Sequence, residues 1–233
     1  MGNRQGQALL SAVEALGYPE LGRSVLGRPI FGRRFGHDSG RAQLPLLLFG
    51  GIHGDEPASV EAMLDLAARL AAEENLPWLF LLPLANPDGI ARGAKNSARD
   101  VDLNRNFPAR SFATAHAPGY FPGPAPLSEP ETRIIAELVD RGGVRGVVAV
   151  HAPFACVNFD GPAAVWAEAV AAACGWPARG DIGYPTPGSF GSWLGLDRAL
   201  PVLTLELPPG PLAPFRAQAA AALDAALAHF RAP

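Results

Sequence analysis

An α/β fold, with a largely parallel sheet covered by helices on both faces, is what this sequence predicts, and three observations carry it. Strand-like and helix-like segments alternate along the whole chain, the pattern of repeated βαβ units. A length of 233 residues suits one large domain, and no linker or internal repeat divides it. Several buried apolar runs stop at residues able to do chemistry, as strands do at the carboxyl edge of an open sheet.

Taken in order, residues 7–16 read as an N-terminal helix. Residues 44–50 are a buried strand that stops at two glycines. Residues 55–73 are a helix with Asp55 and Glu56 in its first turn, where the helix dipole favours acids. Residues 78–84 form a second buried strand, ended by Asn86-Pro-Asp-Gly89, a strong turn signal. A proline-, glycine- and aromatic-rich stretch over 106–127 is long enough to be a functional loop or lid. Ser128 is then placed to cap a helix running to Val139, with Glu131 as its capping-box partner. Residues 144–150 are a strand ending on His151, and 163–173 are an alanine-rich helix. Residues 201–207 are a strand carrying Glu206, and 215–230 are the last helix.

Composition excludes several classes. Hydrophobic residues make up 48% and charged residues 18%, as in an ordinary globular protein. A net charge of -3 gives no nucleic-acid surface. No apolar stretch reaches membrane-spanning length, and the polar start of the chain has no signal-peptide core. The reading is of a cytoplasmic protein with no membrane or nucleic-acid partner. Cys156 and Cys174 stand outside any CxxC pair and are expected as buried free thiols.

The chemistry concentrates at three strand ends. His53-Gly-Asp-Glu56 supplies an imidazole and a carboxylate at the first. His151 ends a later strand and is the natural third ligand of a zinc ion, which in catalytic sites keeps three protein ligands and one open position. Glu206 lies in the apolar strand Val202-Leu-Thr-Leu-Glu206, a costly place for a carboxylate without a partner or a task. Beside a zinc-activated water it would serve as general base. In Val101-Asp-Leu-Asn-Arg-Asn-Phe-Pro108, Arg105 offers a planar fork for a carboxylate, with the Asn104 amide beside it. Asp102 is suited to orient a ligating histidine through its second ring nitrogen. The other histidines, His37, His116 and His229, are expected in solvent.

These motifs together resemble the zinc carboxypeptidase family. The resemblance runs over about residues 22–207 and implies an α/β/α sandwich around a mixed, largely parallel eight-stranded sheet, as a single catalytic domain. It implies one zinc ion on His53, Glu56 and His151, with Glu206 as general base. It further implies Asn104 and Arg105 on the substrate carboxylate, and Asp102 supporting His53. Gly119–Thr132, His151–Cys156 and Tyr184–Trp193 are most similar to the murein peptide amidases of that family. Those enzymes cleave the γ-D-glutamyl–meso-diaminopimelate bond of small murein peptides during cytoplasmic recycling of wall fragments. On that likeness Ser189 and Ser192 are candidate contacts to the distal end of diaminopimelate, within 186–192.

The chain departs from the family at one point. Lys95-Asn-Ser97 stands where an Arg-x-Asn is common, and Asp100 stands in place of a glycine. The arginine stabilises the oxyanion, so Lys95, or else Arg92 or Arg99, is the expected replacement. The phenolic tyrosine of many digestive carboxypeptidases finds no clear match. Alternative readings are a zinc carboxypeptidase of other specificity, an aspartoacylase-like deacylase, or a non-catalytic murein-peptide-binding protein.

Overall fold

Runs of leucine, valine and phenylalanine without polar interruption build the centre of the molecule. In a computed structural model, which describes residues 3–36, 44–74 and 78–230, the chain runs α1 (Arg4–Glu14), β1 (Glu20–Arg23), β2 (Pro29–Phe31), β3 (Arg33–Phe35) and β4 (Leu46–Gly50). It continues through α2 (Pro57–Ala71), β5 (Leu79–Leu82), α3 (Pro87–Arg92), α4 (Pro130–Gly142), β6 (Gly146–His151) and β7 (Cys156–Asp160). It closes with α5 (Ala164–Cys174), β8 (Ala178–Arg179), β9 (Val202–Glu206) and α6 (Arg216–Ala228).

Seven strands form one sheet in the order β3-β5-β4-β6-β9-β7-β8, and β1 and β2 pair separately. The expected eight-stranded sheet is therefore seven-stranded among the described residues. Pairing is parallel from β5 through β4 and β6 to β9, and again between β7 and β8; β3 and β7 run antiparallel to their neighbours β5 and β9. The sheet is mixed and largely parallel.

Alternation along each strand divides the core between the two faces. Leu46 and Leu48 pack with α2, α5 and α6, whereas Leu47 and Phe49 pack with α4 and the Phe190–Leu194 segment. All four side chains are fully buried, and burial of each contributes about 1.5–3 kcal/mol. This gives the three-layer α/β/α arrangement. Among the described residues, no helix is long and apolar enough to cross a membrane.

Local differences from the sequence expectations have simple causes. The Asn86-Pro-Asp-Gly89 turn opens the short helix α3: the Asn86 side chain accepts from the Gly89 N–H, and Pro87 takes the first helical position. Asp55 and Glu56 precede α2, whose first residue is Pro57, so no acid lies in its first turn. The N-cap of α4 is Glu129, not Ser128. The Ser128 hydroxyl meets Asn106 and Glu129, while Glu131 accepts from the Val25 N–H across the molecule. Cys156 and Cys174 are buried free thiols, and His116 and His229 are exposed. His37 falls outside the described residues.

Candidate metal centre and active site

The parallel register brings the carboxyl ends of β4, β6 and β9 level. Gly50 pairs with Val150, and His151 pairs with Glu206. The chain leaving β4 then turns so that His53 faces His151, their rings 4.9 Å apart. Close packing against α3 holds this turn. A Cβ added to Gly54 would lie 2.0 Å from the Gly89 carbonyl carbon and 2.4 Å from the Ala94 oxygen, so no other residue fits there without displacing backbone.

His53, Glu56 and His151 each direct one ligand atom into a common space, all within 4.8 Å of one another. His53 Nδ1 is 2.8 Å from Glu56 Oε1, and His151 Nδ1 is 3.2 Å from Glu56 Oε2. His53 Nε2 lies 3.1 Å from Asp102 Oδ1, which leaves Nδ1 as the nitrogen facing the other donors. Two imidazole nitrogens and one carboxylate, converging in the wall of one cavity, are a donor set that suits zinc.

Electrostatics bind the cluster tightly. Burial disfavours charge on His53, yet Glu56 and Asp102 more than offset this and raise its pKa to about 10. Burial likewise opposes ionisation of Glu56, but His53 and His151 prevail and lower it to about 2. Asp102 stays ionised for the same kind of reason, held by His53, Arg105 and Lys95 against burial. Glu206 differs. Burial raises it above the ordinary carboxylate value, only partly countered by His151, and its Oε2 is buried with no hydrogen-bond partner.

Asp102 is a junction. Its Oδ1 meets His53 and accepts from the Asn104 N–H, while Oδ2 accepts from Lys95 Nζ at 2.7 Å. Lys95 also stacks over the Tyr120 ring, 3.8 Å from its centre. Of the three basic side chains expected near the oxyanion, Lys95 lines the cavity and the other two face elsewhere. Arg92 donates to the carbonyls of Asp88, Asn96 and Ser97, and Arg99 pairs with Glu129. Asp100 adopts φ 61°, the left-handed region in which glycine is at ease and aspartate is among the better tolerated substitutes.

Asn104 and Arg105 line the same cavity of about 580 Å³ as His53, Glu56, His151 and Glu206. Asn104 Oδ1 accepts from the Phe190 N–H, so its amide nitrogen is the atom left for a ligand. Arg105 is 5% exposed; it donates to the Asn104 carbonyl and lies over the Tyr120 ring, 5.3 Å from its centre. Ser189 lines the cavity and Ser192 lies behind it. Their hydroxyls join Thr186 in a small network: Ser189 donates to Ser192, and Ser192 donates to the Thr186 carbonyl.

Sequence reasoning missed two tyrosines. Tyr184 and Tyr120 both line the cavity, with ring centres 6.5 Å apart. Burial raises the Tyr184 phenol above its usual value, against the pull of Arg105. Tyr120 lies on the irregular 106–127 stretch, whose base is fixed by the buried Asn106 amide donating to Pro122, Ala125 and Ser128. Proximity to Arg105 is the signal that would have singled these rings out, and it needs the fold.

Comparison with known proteins places this geometry. Residues 14–161 match the zinc carboxypeptidase family. Murein peptide amidase A of Escherichia coli K12 is 36% identical over 208 residues, covering 83% of this chain and 82% of that protein. The Vibrio campbellii murein peptide amidase A is 34% identical, over 81% of this chain and 78% of its own. The crystal structure of murein-tripeptide amidase from E. coli O157 superposes with a TM-score of 0.75 at 30% identity, covering 93% of this chain and 94% of that one. Carboxypeptidase A of Helicoverpa armigera shares the fold at TM-score 0.75 and 19% identity, over 96% of this chain and 72% of that one. With the family match spanning more than half its residues, the chain belongs to the zinc carboxypeptidase family.

Proposed function

We propose that this protein is a zinc-dependent amidase that hydrolyses the γ-D-Glu–meso-diaminopimelate bond of small murein peptides. One observation carries the reading: His53, Glu56 and His151 face Glu206, Asn104 and Arg105 across a single cavity. The likeness to murein peptide amidases supports the choice of substrate. A cytoplasmic setting and a part in recycling wall fragments, which the resemblance implies, belong to the same proposal.

His53, Glu56 and His151 would hold the ion, and Asp102 fixes the His53 ring from behind through Nε2. When bound, zinc supplies the Lewis acidity that polarises the scissile carbonyl and makes water acidic enough to attack near neutral pH. Glu206 takes the proton of that water and carries it to the departing amine. Its burial-raised pKa suits a group that must both accept and return a proton. Arg105 and the Asn104 amide grip the diaminopimelate carboxylate next to the scissile amide, which is placed much as a C-terminal carboxylate would be. Lys95 brings positive charge to the oxyanion side without an arginine's fork.

The test is incubation of zinc-loaded protein with L-Ala-γ-D-Glu-meso-diaminopimelate and with a panel of ordinary peptides carrying free C-termini. Release of diaminopimelate is expected; its absence would remove the reading. Glu206→Gln should keep its zinc content and lose about 10²–10⁴-fold in kcat.

A further inference from the structure

Lys95 is the only lysine in the sequence; of the 19 lysine and arginine residues, all others are arginine. The two side chains are not interchangeable. A guanidinium is a planar, preorganised fork, whereas an ammonium is a compact point charge on a flexible four-carbon stem. A lysine that must present its charge at one fixed point has to be held there by its surroundings.

The structure holds it from three sides. Lys95 Nζ donates to Asp102 Oδ2 at 2.7 Å and, at the limit of a hydrogen bond, to the Gly119 carbonyl at 3.5 Å. The third side is the face of Tyr120, whose ring centre is 3.8 Å from Nζ. Tyr120 also faces a second cation, since the Arg105 guanidinium carbon lies 5.3 Å from the same ring centre. One ring thus serves both the ammonium on the oxyanion side and the guanidinium assigned to the substrate carboxylate. The ring quadrupole attracts cations, which eases the approach of two like charges that otherwise repel.

The segment carrying this ring is irregular, yet it is pinned to the site on either side of Tyr120. The Gly119 carbonyl accepts from Asn96 Nδ2 at 3.4 Å, and the Phe121 carbonyl accepts from the Asp102 N–H at 2.8 Å. Gly119 makes the bend between them at φ 81°, in the left-handed region. Tyr120 is 37% exposed, so apolar burial does not account for its place. Backbone bonds to the neighbour of Lys95 and to Asp102 itself do.

Resting on the amidase reading, we propose that Tyr120 is a positioning residue whose ring face holds the Lys95 ammonium on the oxyanion side. The ring lets a lysine do there what a guanidinium fork would do unaided. Tyr120 acts through Lys95, and it is the aromatic face, not the hydroxyl, that matters.

Being single, Lys95 gives one lysine signal. Zinc-loaded protein grown on lysine labelled with carbon-13 at the ε position should show its ε-methylene protons upfield of free lysine, because the ring current shields groups over its face. Tyr120→Leu should return them to the free-lysine position, and Tyr120→Phe should keep them shifted. In turnover of L-Ala-γ-D-Glu-meso-diaminopimelate, Tyr120→Leu should lower kcat about 3–30-fold, the scale of a cation–π contact, with KM little changed and zinc retained. Tyr120→Phe should recover most of that loss. With Lys95→Met already in place, Tyr120→Leu should lower kcat no further. An unshifted wild-type signal, additive losses in the double variant, or a change in KM alone would overturn the assignment and leave the amidase reading intact. A shifted signal that Tyr120→Leu abolishes, with no diaminopimelate released by any form of the protein, would keep Tyr120 as the clamp on Lys95 and reject the amidase.

Discussion

Glu131 on α4 carries a titration that ties three elements together. It is 1% exposed; its Oε1 accepts from Val25 before β2, and its Oε2 has no partner. Burial first, then Glu129 and Asp88, push its pKa from 4.5 to about 7. A carboxyl held above its unfolded pKa binds more protons folded than unfolded across that interval. Stability therefore falls as pH rises from about 4.5 to about 7 and is level above it. The shift corresponds to about 3 kcal/mol at full effect. Glu131→Gln removes the charge but keeps the shape, so its melting temperature should exceed that of wild type at pH 8, and the gap should close towards pH 4.5. Thermal unfolding at the two pH values checks this, and a gap independent of pH would contradict it. At this scale the convergence of His53, Glu56, His151 and Glu206 was legible because they lie in, at or just past the ends of strong apolar runs. Tyr120 and Tyr184 were not. Their place beside Arg105 depends on two irregular segments meeting over one cavity, which no local pattern reveals.

Strands were legible in proportion to their apolarity. The strands read at 44–50, 78–84, 144–150 and 201–207 appear as β4, β5, β6 and β9, with bounds shifted by a few residues. The strands β1, β2, β3, β7 and β8 are as short as some of these, but carry polar or charged residues, glycine or proline in place of an uninterrupted apolar run. Asn86-Pro-Asp-Gly89 carries both a turn signal and a helix-start signal, and the helix prevails because Asn86 caps it and Gly93 ends it in the left-handed region. The helix α3 matters to the site through its contact with Gly54. Gly54→Ala must push α3 and the His53 turn apart, which should cost about 1–3 kcal/mol as overpacking does. Denaturant unfolding should show a lower midpoint, and zinc affinity should fall in parallel. A loss of stability with unchanged zinc affinity would show that the turn moves without the ligands.

Across the whole molecule, the candidate ligands join two segments far apart in the chain, the β4–α2 turn and the end of β6. An ion bound there crosslinks the folded state alone. At a thousandfold excess over its dissociation constant it adds about 4 kcal/mol, or roughly 10 °C for a chain of this size. Calorimetry with and without a chelator should show that drop, with the unfolding transition still cooperative because the core does not depend on the ion. No change on chelation would mean that the three residues hold nothing.

The Asp102 junction has a last consequence. One carboxylate steadies the ring of a candidate metal ligand, anchors the ammonium of Lys95, and caps the segment that presents Asn104. The His53 ring, the Lys95 ammonium and the Asn104 segment thus share a single hinge pin. No one of them can be retuned independently, and an arginine introduced at position 95 would have to renegotiate its place with the other two.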